Sequence, residues 1–236
     1  MNYLNFMAIS VPTDGTGFTF WLGAMAMMAA SVFFFLSMNS VDSKWRTSLL
    51  VSGLITFIAA VHYMYMRDAH AAGDSTTVFR YVDWILTVPL MCVEFYLILR
   101  VAGATKSHMW KLIGFSTIML VTGFFGESGW DGGMLNASMW GLLSGLAYFY
   151  IAYEVWLGSL KKLAVEAGGN VLKAHNTLCW FLLVGWAIYP IGYYLGYTGS
   201  ADAGTLNIVY NLADFVNKIA FGVVIWAAAT SGTKTK

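Results

Sequence analysis

Residues 207–229 read NIVYNLADFVNKIAFGVVIWAAA, an apolar run whose only charged residues are Asp214 and Lys218. A run of this length matches the ~20 residues needed to cross a bilayer as a helix. A membrane-buried segment must satisfy its own backbone hydrogen bonds, and a helix does so within one segment. Lys218 lies too far from either end for its ammonium to reach water along the helix surface. Tyr210, Asp214 and Lys218 are spaced by four, so they share one helix face. A lysine buried in this way has two readings. It can form an ion pair with a carboxylate that ties helices together. It can also condense with an aldehyde as a Schiff base. Spacing alone leaves both open.

The rest of the chain has the same character. Of 236 residues, 58% are hydrophobic and 11% charged. A water-soluble domain carries about 25% charged residues, so lipid must be the solvent for most of this surface. Seven apolar stretches can be read, at about 17–38, 46–66, 78–100, 108–126, 133–157, 174–197 and 205–230. The polar or Gly-rich connections NSVDSK, RDAHAAGDSTT, VAGATKSH, ESGWDGG, LKKLAVEAGGN and GSADAG separate them. The expected fold is therefore all-α, a single seven-helix transmembrane domain filling residues 1–236.

With seven spans, Lys44, Arg46, Arg100, Lys106, Lys111, Lys161, Lys162, Lys173, Lys234 and Lys236 fall on one side. The other side has Arg67 as its basic residue, with Asp14, Asp68, Asp74, Glu127, Asp131 and Asp202. Basic residues concentrate in cytoplasmic loops, so the N-terminus is expected outside and the C-terminus in the cytoplasm. The opening MNYLNFMAISVPTDGTG lacks a basic region followed by an apolar core and cleavage site, so no signal peptide is expected. Cys92 and Cys179 sit in apolar runs and read as core residues, with no metal site. Net charge is +1, which points to no nucleic-acid partner.

Ionisable groups inside spans are costly and mark function or a paired partner by default. Besides Asp214 and Lys218, three stand out, Arg80, Asp83 and Glu94, all in FRYVDWILTVPLMCVEFYLILR (79–100). Eleven helical residues return to within about 20° of their start and rise about 16 Å. Asp83, Thr87 and Glu94 therefore form one stripe, with two carboxylates separated along the membrane normal. Arg80 approaches that stripe from the extracellular side. Two acids on one stripe suit a proton relay, and Pro89 and Pro190 mark places where their helices can bend.

RYVDWILTVP (80–89) and NLADFVNK (211–218) resemble the proteorhodopsin branch of the microbial (type 1) rhodopsins. HYMYMR (62–67), YEVW (153–156) and GWAIYPIGY (185–193) resemble it too. The resemblance implies a light-driven outward proton pump in the cell (inner) membrane, a transporter rather than an enzyme. It implies all-trans retinal on Lys218 as a protonated Schiff base. Asp83 matches the primary counterion and proton acceptor, Asp214 the second counterion, and Glu94 the cytoplasmic proton donor. Thr87 stands at the middle of the Asp-Thr-Glu triplet of outward pumps, and Arg80 matches the arginine below the counterions. His62 matches a second-span histidine that bonds the counterion and tunes its proton affinity. Trp84, Met91, Trp186, Tyr189, Pro190 and Tyr210 match pocket residues. Met91 stands where an apolar residue accompanies green absorption and glutamine accompanies blue.

Rival readings follow from the same resemblance. A photosensor signalling to a transducer has no need of a donor carboxylate such as Glu94. Pumps of other ions replace one of the triplet acids, and an ordinary transporter would not bind retinal. Trp21 matches a first-span tryptophan that meets the second-span histidine of a neighbouring protomer, which implies a ring-shaped homo-oligomer. Gly141 matches a position beside the retinal ring where glycine leaves a lateral window for a carotenoid antenna. Gly141 and Gly145 also form a small-xxx-small pair suited to helix packing.

Overall fold

The structure, a computed structural model, describes Pro12, residues 14–130 and residues 133–231. The N-terminal opening, Asp131, Lys234 and Lys236 thus lie outside the described residues. Seven long helices follow one another: Gly15–Ser37, Ser43–Ala72, Thr77–Leu99, Lys106–Ser128, Ala137–Trp156, Gly169–Tyr197 and Ala203–Thr230. Six are long and apolar enough to cross a membrane. The fifth, Ala137–Trp156, is the exception, because Trp140, Tyr148, Tyr150, Tyr153 and Trp156 lower its mean hydropathy. Such amphipathic rings belong in the interfacial zones of a bilayer. The chain is a multi-pass membrane protein.

Several boundaries differ from the sequence reading, the fifth helix among them, which starts at Ala137 rather than near 133. The second helix runs on to Ala72 through RDAHAA and stops at Gly73, whose φ of 82° is the left-handed cap that glycine adopts freely. The sixth helix starts at Gly169 rather than near 174. The connection before it also holds a short helix, Ser159–Ala167. Leu160 and Ala164, one turn apart, bury one of its faces.

Contacts sort the two ends as the charge asymmetry requires. At one end Arg100 Nη2 donates to the Lys44 carbonyl (3.4 Å), joining two basic connections. At the other, Thr16 Oγ1 donates to the Gly204 carbonyl (3.4 Å) and Thr76 Oγ1 to Asn207 Oδ1 (2.9 Å). Between the ends, a core of buried side chains runs the length of the bundle. Gly222 of the seventh helix lets the Phe34 ring of the first lie directly on its backbone, where any Cβ would collide with it.

The sixth helix is not continuous. Over Phe181–Gly185 it widens into one π-helical turn, with Trp186 N–H donating to the Phe181 carbonyl (3.0 Å). Pro190 follows within a turn and can donate no helical bond of its own. Asn217 Nδ2, from the seventh helix, donates to the Gly185 carbonyl (3.1 Å). A Cβ on Gly185 would strike that amide. π-turns and prolines are where helices bend, so the sixth helix has two arms and a joint.

At the extracellular end, Asp14 caps the first helix by accepting the Gly17 N–H at 2.7 Å. His70 Nε2 lies 2.9 Å from the same carboxylate. The Gly17 amide, and then His70, hold the Asp14 carboxyl below its ordinary value. A lowered carboxyl contributes stability that is full above the ordinary value and is lost as pH falls through the lowered one. Asp14→Ala should cost about 1 kcal/mol, as lost N-caps do. The check is thermal denaturation near neutrality and again near pH 2, where the difference between variant and wild type should shrink.

Candidate functional site

The centre of the bundle is a charged cluster closed to the outside. Lys218 Nζ lies 2.5 Å from Asp83 Oδ2 and 2.7 Å from Asp214 Oδ2. None of the three residues is more than 2% exposed. The two carboxylates are not equivalent. Asp214 also accepts from Trp84 Nε1 (3.2 Å) and Tyr189 Oη (3.1 Å), both at Oδ1. Asp83 Oδ1 has no hydrogen-bond partner among the described residues. Thr87, one turn on, bonds back to the Asp83 carbonyl at 2.9 Å rather than to its carboxylate.

Arg80 makes no ion pair with either acid among the described residues. Its Nη2 donates to Asn207 Oδ1 (3.0 Å) and Asn211 Oδ1 (2.9 Å). Its guanidinium carbon stands 5.3 Å from the Tyr210 ring centre, 5.7 Å from Phe20 and 5.9 Å from Trp84. Aromatic faces stabilise a cation by their quadrupole. The buried cations Lys218 and Arg80 thus balance the two acids in formal charge.

A cavity of about 430 Å³ opens from Lys218. Trp84, Met91, Trp186, Tyr189, Pro190 and Tyr210 all line it. Its far end reaches Gly141, Ser144, Gly145 and Tyr193. An amine at one end of a largely apolar, aromatic-walled cavity fits a long apolar aldehyde. Its volume lies within the range of small-molecule pockets.

The comparisons agree with this geometry. Residues 14–232 match the family model described as bacteriorhodopsin-like protein. The chain is 48% identical over 223 residues to the green-light absorbing proteorhodopsin of Gamma-proteobacterium EBAC31A08, covering 92% of this chain and 87% of that one. The crystal structure of blue light-absorbing proteorhodopsin from Med12 superposes with a TM-score of 0.80 at 46% identity, covering 93% of this chain and 100% of that one. Xanthorhodopsin, described as a light-driven ion pump with dual chromophore, matches with a TM-score of 0.80 at 30% identity, covering 92% of each chain. The chain belongs to the bacteriorhodopsin-like family.

In this rhodopsin the second carboxylate of the third helix stands apart from the cluster. Glu94 is 0% exposed, and its Oε1 accepts from Ser52 Oγ at 3.0 Å. Its Oε2 has no partner among the described residues, and no cation pairs with it there. An ionised carboxylate in such a place would be costly.

One expectation needs correction. His62 does not hydrogen-bond Asp83. Its Nδ1 instead meets the Ile58 carbonyl of its own helix at 2.9 Å. A carbonyl only accepts, so Nδ1 carries the proton and neutral His62 keeps a lone pair on Nε2. The ring is half-buried at the bundle surface.

Sequence reasoning missed Tyr81 and Glu127. Tyr81 Oη donates to Glu127 Oε2 (2.8 Å), and both residues line the cavity. Glu127 was counted among the loop acids because it closes the fourth span. A helix extending through Ser128 makes it part of the cavity's lining, although the residue stays exposed. Asn217 was also missed, although it adjoins Lys218 in sequence.

Lys218→Ala removes the one amine of the cavity. The variant should stay colourless when all-trans retinal is added, whereas wild type should form a visible pigment. An absorption spectrum of detergent-purified protein decides it, and a covalent pigment in the variant would overturn the assignment.

Proposed function

We propose that this chain is a light-driven outward proton pump carrying all-trans retinal on Lys218. The observation that supports it is the pairing of a buried Lys218–Asp83–Asp214 cluster with a fully enclosed Glu94, bonded only by Ser52 among the described residues, farther along the same helix as Asp83. Retinal bound through Lys218 supplies light absorption and a photoisomerisation that reorients the linked nitrogen. The other duties belong to side chains of this chain.

Asp214 is the fixed counterion, because three donors, Trp84, Tyr189 and Lys218, hold its carboxylate in place. Asp83 has the Lys218 nitrogen as its one side-chain donor, so it accepts a proton at less cost and serves as the acceptor. Arg80, held by two asparagines and three rings, balances charge on the extracellular side. Glu94 lies three turns nearer the cytoplasm, so a proton leaving it replaces the one passed to Asp83. The basic connections place that end inside the cell, which makes net transfer outward. A sensor that only signals would not need Glu94, and this favours the pump over that alternative.

Light should acidify a suspension of cells expressing the protein with retinal, and a protonophore should abolish the change. Glu94→Gln should still bind retinal. Its return to the dark spectrum after a flash should slow by at least about tenfold, in keeping with loss of an internal acid, and should become proportional to external proton concentration. Unchanged return kinetics would remove Glu94 from the donor role.

Two finer readings go with the pump. The first is a ring-shaped homo-oligomer in the cell membrane. Trp21 points outward from the first helix, 37% exposed. The Nε2 lone pair of half-buried His62 is a fitting acceptor for an indole N–H of a second copy.

The second is a carotenoid antenna. The cavity lining also includes Ser138, Tyr194 and Tyr197, which are exposed. That supports a lateral opening. The Tyr193 ring lies against Gly141, with its Cε1 3.0 Å from where a Cβ would stand, and this supports the packing alternative. The action spectrum of pigment mixed with a hydroxylated carotenoid separates the two. A carotenoid-shaped band in wild type that vanishes in Gly141→Trp supports the antenna, and no band in wild type ends it.

A further inference from the structure

The seam between the fifth and sixth helices is stitched by side chains reaching backbone carbonyls. Tyr148 Oη donates to the Leu182 carbonyl (3.0 Å), within the π-turn. Trp156 Nε1 donates to the Cys179 carbonyl (3.2 Å). His175 Nε2 meets the Val155 carbonyl at 2.8 Å, and Cys179 Sγ meets that same oxygen at 3.5 Å. Three of these bonds hold the cytoplasmic arm of the sixth helix, on the far side of the π-turn from Pro190.

His175 is the unusual member. It is 0% exposed, and it takes no part in the proton route described above. Phe95, the residue after Glu94, meets it edge-on with ring centres 5.5 Å apart. Lys161 of the short helix is turned to Asn176 Oδ1 at 2.6 Å. Because Val155 O can only accept, the imidazole proton sits on Nε2. Nδ1 has no partner among the described residues. A second proton there would bury an unpaired N–H and a charge together, so the ring is neutral while the bond holds.

The pump must admit a proton from the cytoplasm to Glu94, which is fully enclosed. The two-armed sixth helix supplies a movable wall. Its joint touches the photoactive centre, since Asn217 binds the Gly185 carbonyl and precedes Lys218. We propose that His175 is a positioning latch for the known pump. Its Nε2–H···O=C Val155 bond holds the cytoplasmic arm of the sixth helix against the fifth in the dark and lets go when the joint moves. The latch rests on the reading of Glu94 as the donor that must be recharged through this seam.

Cys179 reports the seam directly, because its thiol is 1% exposed and bonds the same carbonyl. The experiment measures the rate at which N-ethylmaleimide labels Cys179 in retinal-loaded protein on a Cys92→Ser background, in the dark and under light. His175→Phe keeps the ring but loses the donor. His175→Gln keeps a donor at the reach of Nε2, and His175→Asn carries the same amide too short to reach. Labelling follows the population of the open form. Loss of one hydrogen bond should raise the dark rate about fivefold in the Phe and Asn variants, with Gln within about twofold of wild type. Their return to the dark spectrum after a flash should quicken with the same order among variants. Wild-type dark labelling in Phe and Asn overturns the latch, as does a rise shared equally by Gln. Should one of these variants fail to bind retinal, the Gln–Asn or Gln–Phe contrast still decides. Glu94→Gln measured in parallel keeps the donor reading separate, because its flash kinetics do not depend on the labelling result.

Discussion

Everything in this bundle is arranged around an ammonium that cannot reach water. Moving one such ion into a low-dielectric interior costs several kcal/mol even after relaxation. Lys218 meets that cost with Asp83 of the third helix and Asp214 of its own, at 2.5 and 2.7 Å. Two anions on one cation leave a surplus negative charge, so a second cation is required nearby. Arg80 provides it without touching either acid, held by asparagine oxygens and aromatic faces. Removing any one of the four charges would strand another, which fixes how the third and seventh helices sit relative to each other. The apolar cavity and its aromatic walls are built outward from that set.

Most of this was legible in the chain. The seven spans follow from apolar length, and the orientation follows from where lysine and arginine fall. The i, i+4 and i, i+11 spacings placed Asp214 with Lys218, and Asp83 with Glu94, before any coordinates. What spacing left open was whether Lys218 served an ion pair or a bound aldehyde. The cavity beside it and the family membership favour the second. Helix ends were less legible, because RDAHAA carries charge yet keeps good helix formers. Glu127 was misplaced for the same reason: a charged residue at a span's edge reads as loop until the helix is seen to continue. His62 was expected to bond the counterion, but its hydrogen bond goes to Ile58, a choice made by ring orientation that no spacing encodes.

The π-turn at Phe181–Gly185 had no sequence signal of its own. FLLVG is as apolar as any membrane helix, and the extra residue per turn is stabilised from outside. Asn217 and Tyr148 bind carbonyls at 185 and 182 from two neighbouring helices. Gly185 is required there because a side chain would displace the Asn217 amide. The irregularity belongs to the contact between helices rather than to either segment, so reading one segment at a time cannot find it.

Buried polar atoms without a protein partner are rare in folded proteins, because each costs the desolvation of the group. Among the described residues they are Tyr63 Oη, Arg80 Nη1, Asp83 Oδ1, Glu94 Oε2 and His175 Nδ1. Two of the five belong to Asp83 and Glu94, proposed as the proton's acceptor and donor, a third to Arg80 beside them, and a fourth to the proposed latch. A group that must give up a proton or change partner in each cycle cannot be fully satisfied by one fixed neighbour, or the cycle would stop there. Asp214, with donors on both oxygens, shows the contrast: it is the acid proposed as the fixed counterion. The distribution of incomplete hydrogen bonding therefore separates the groups that hold the structure from those that change during pumping.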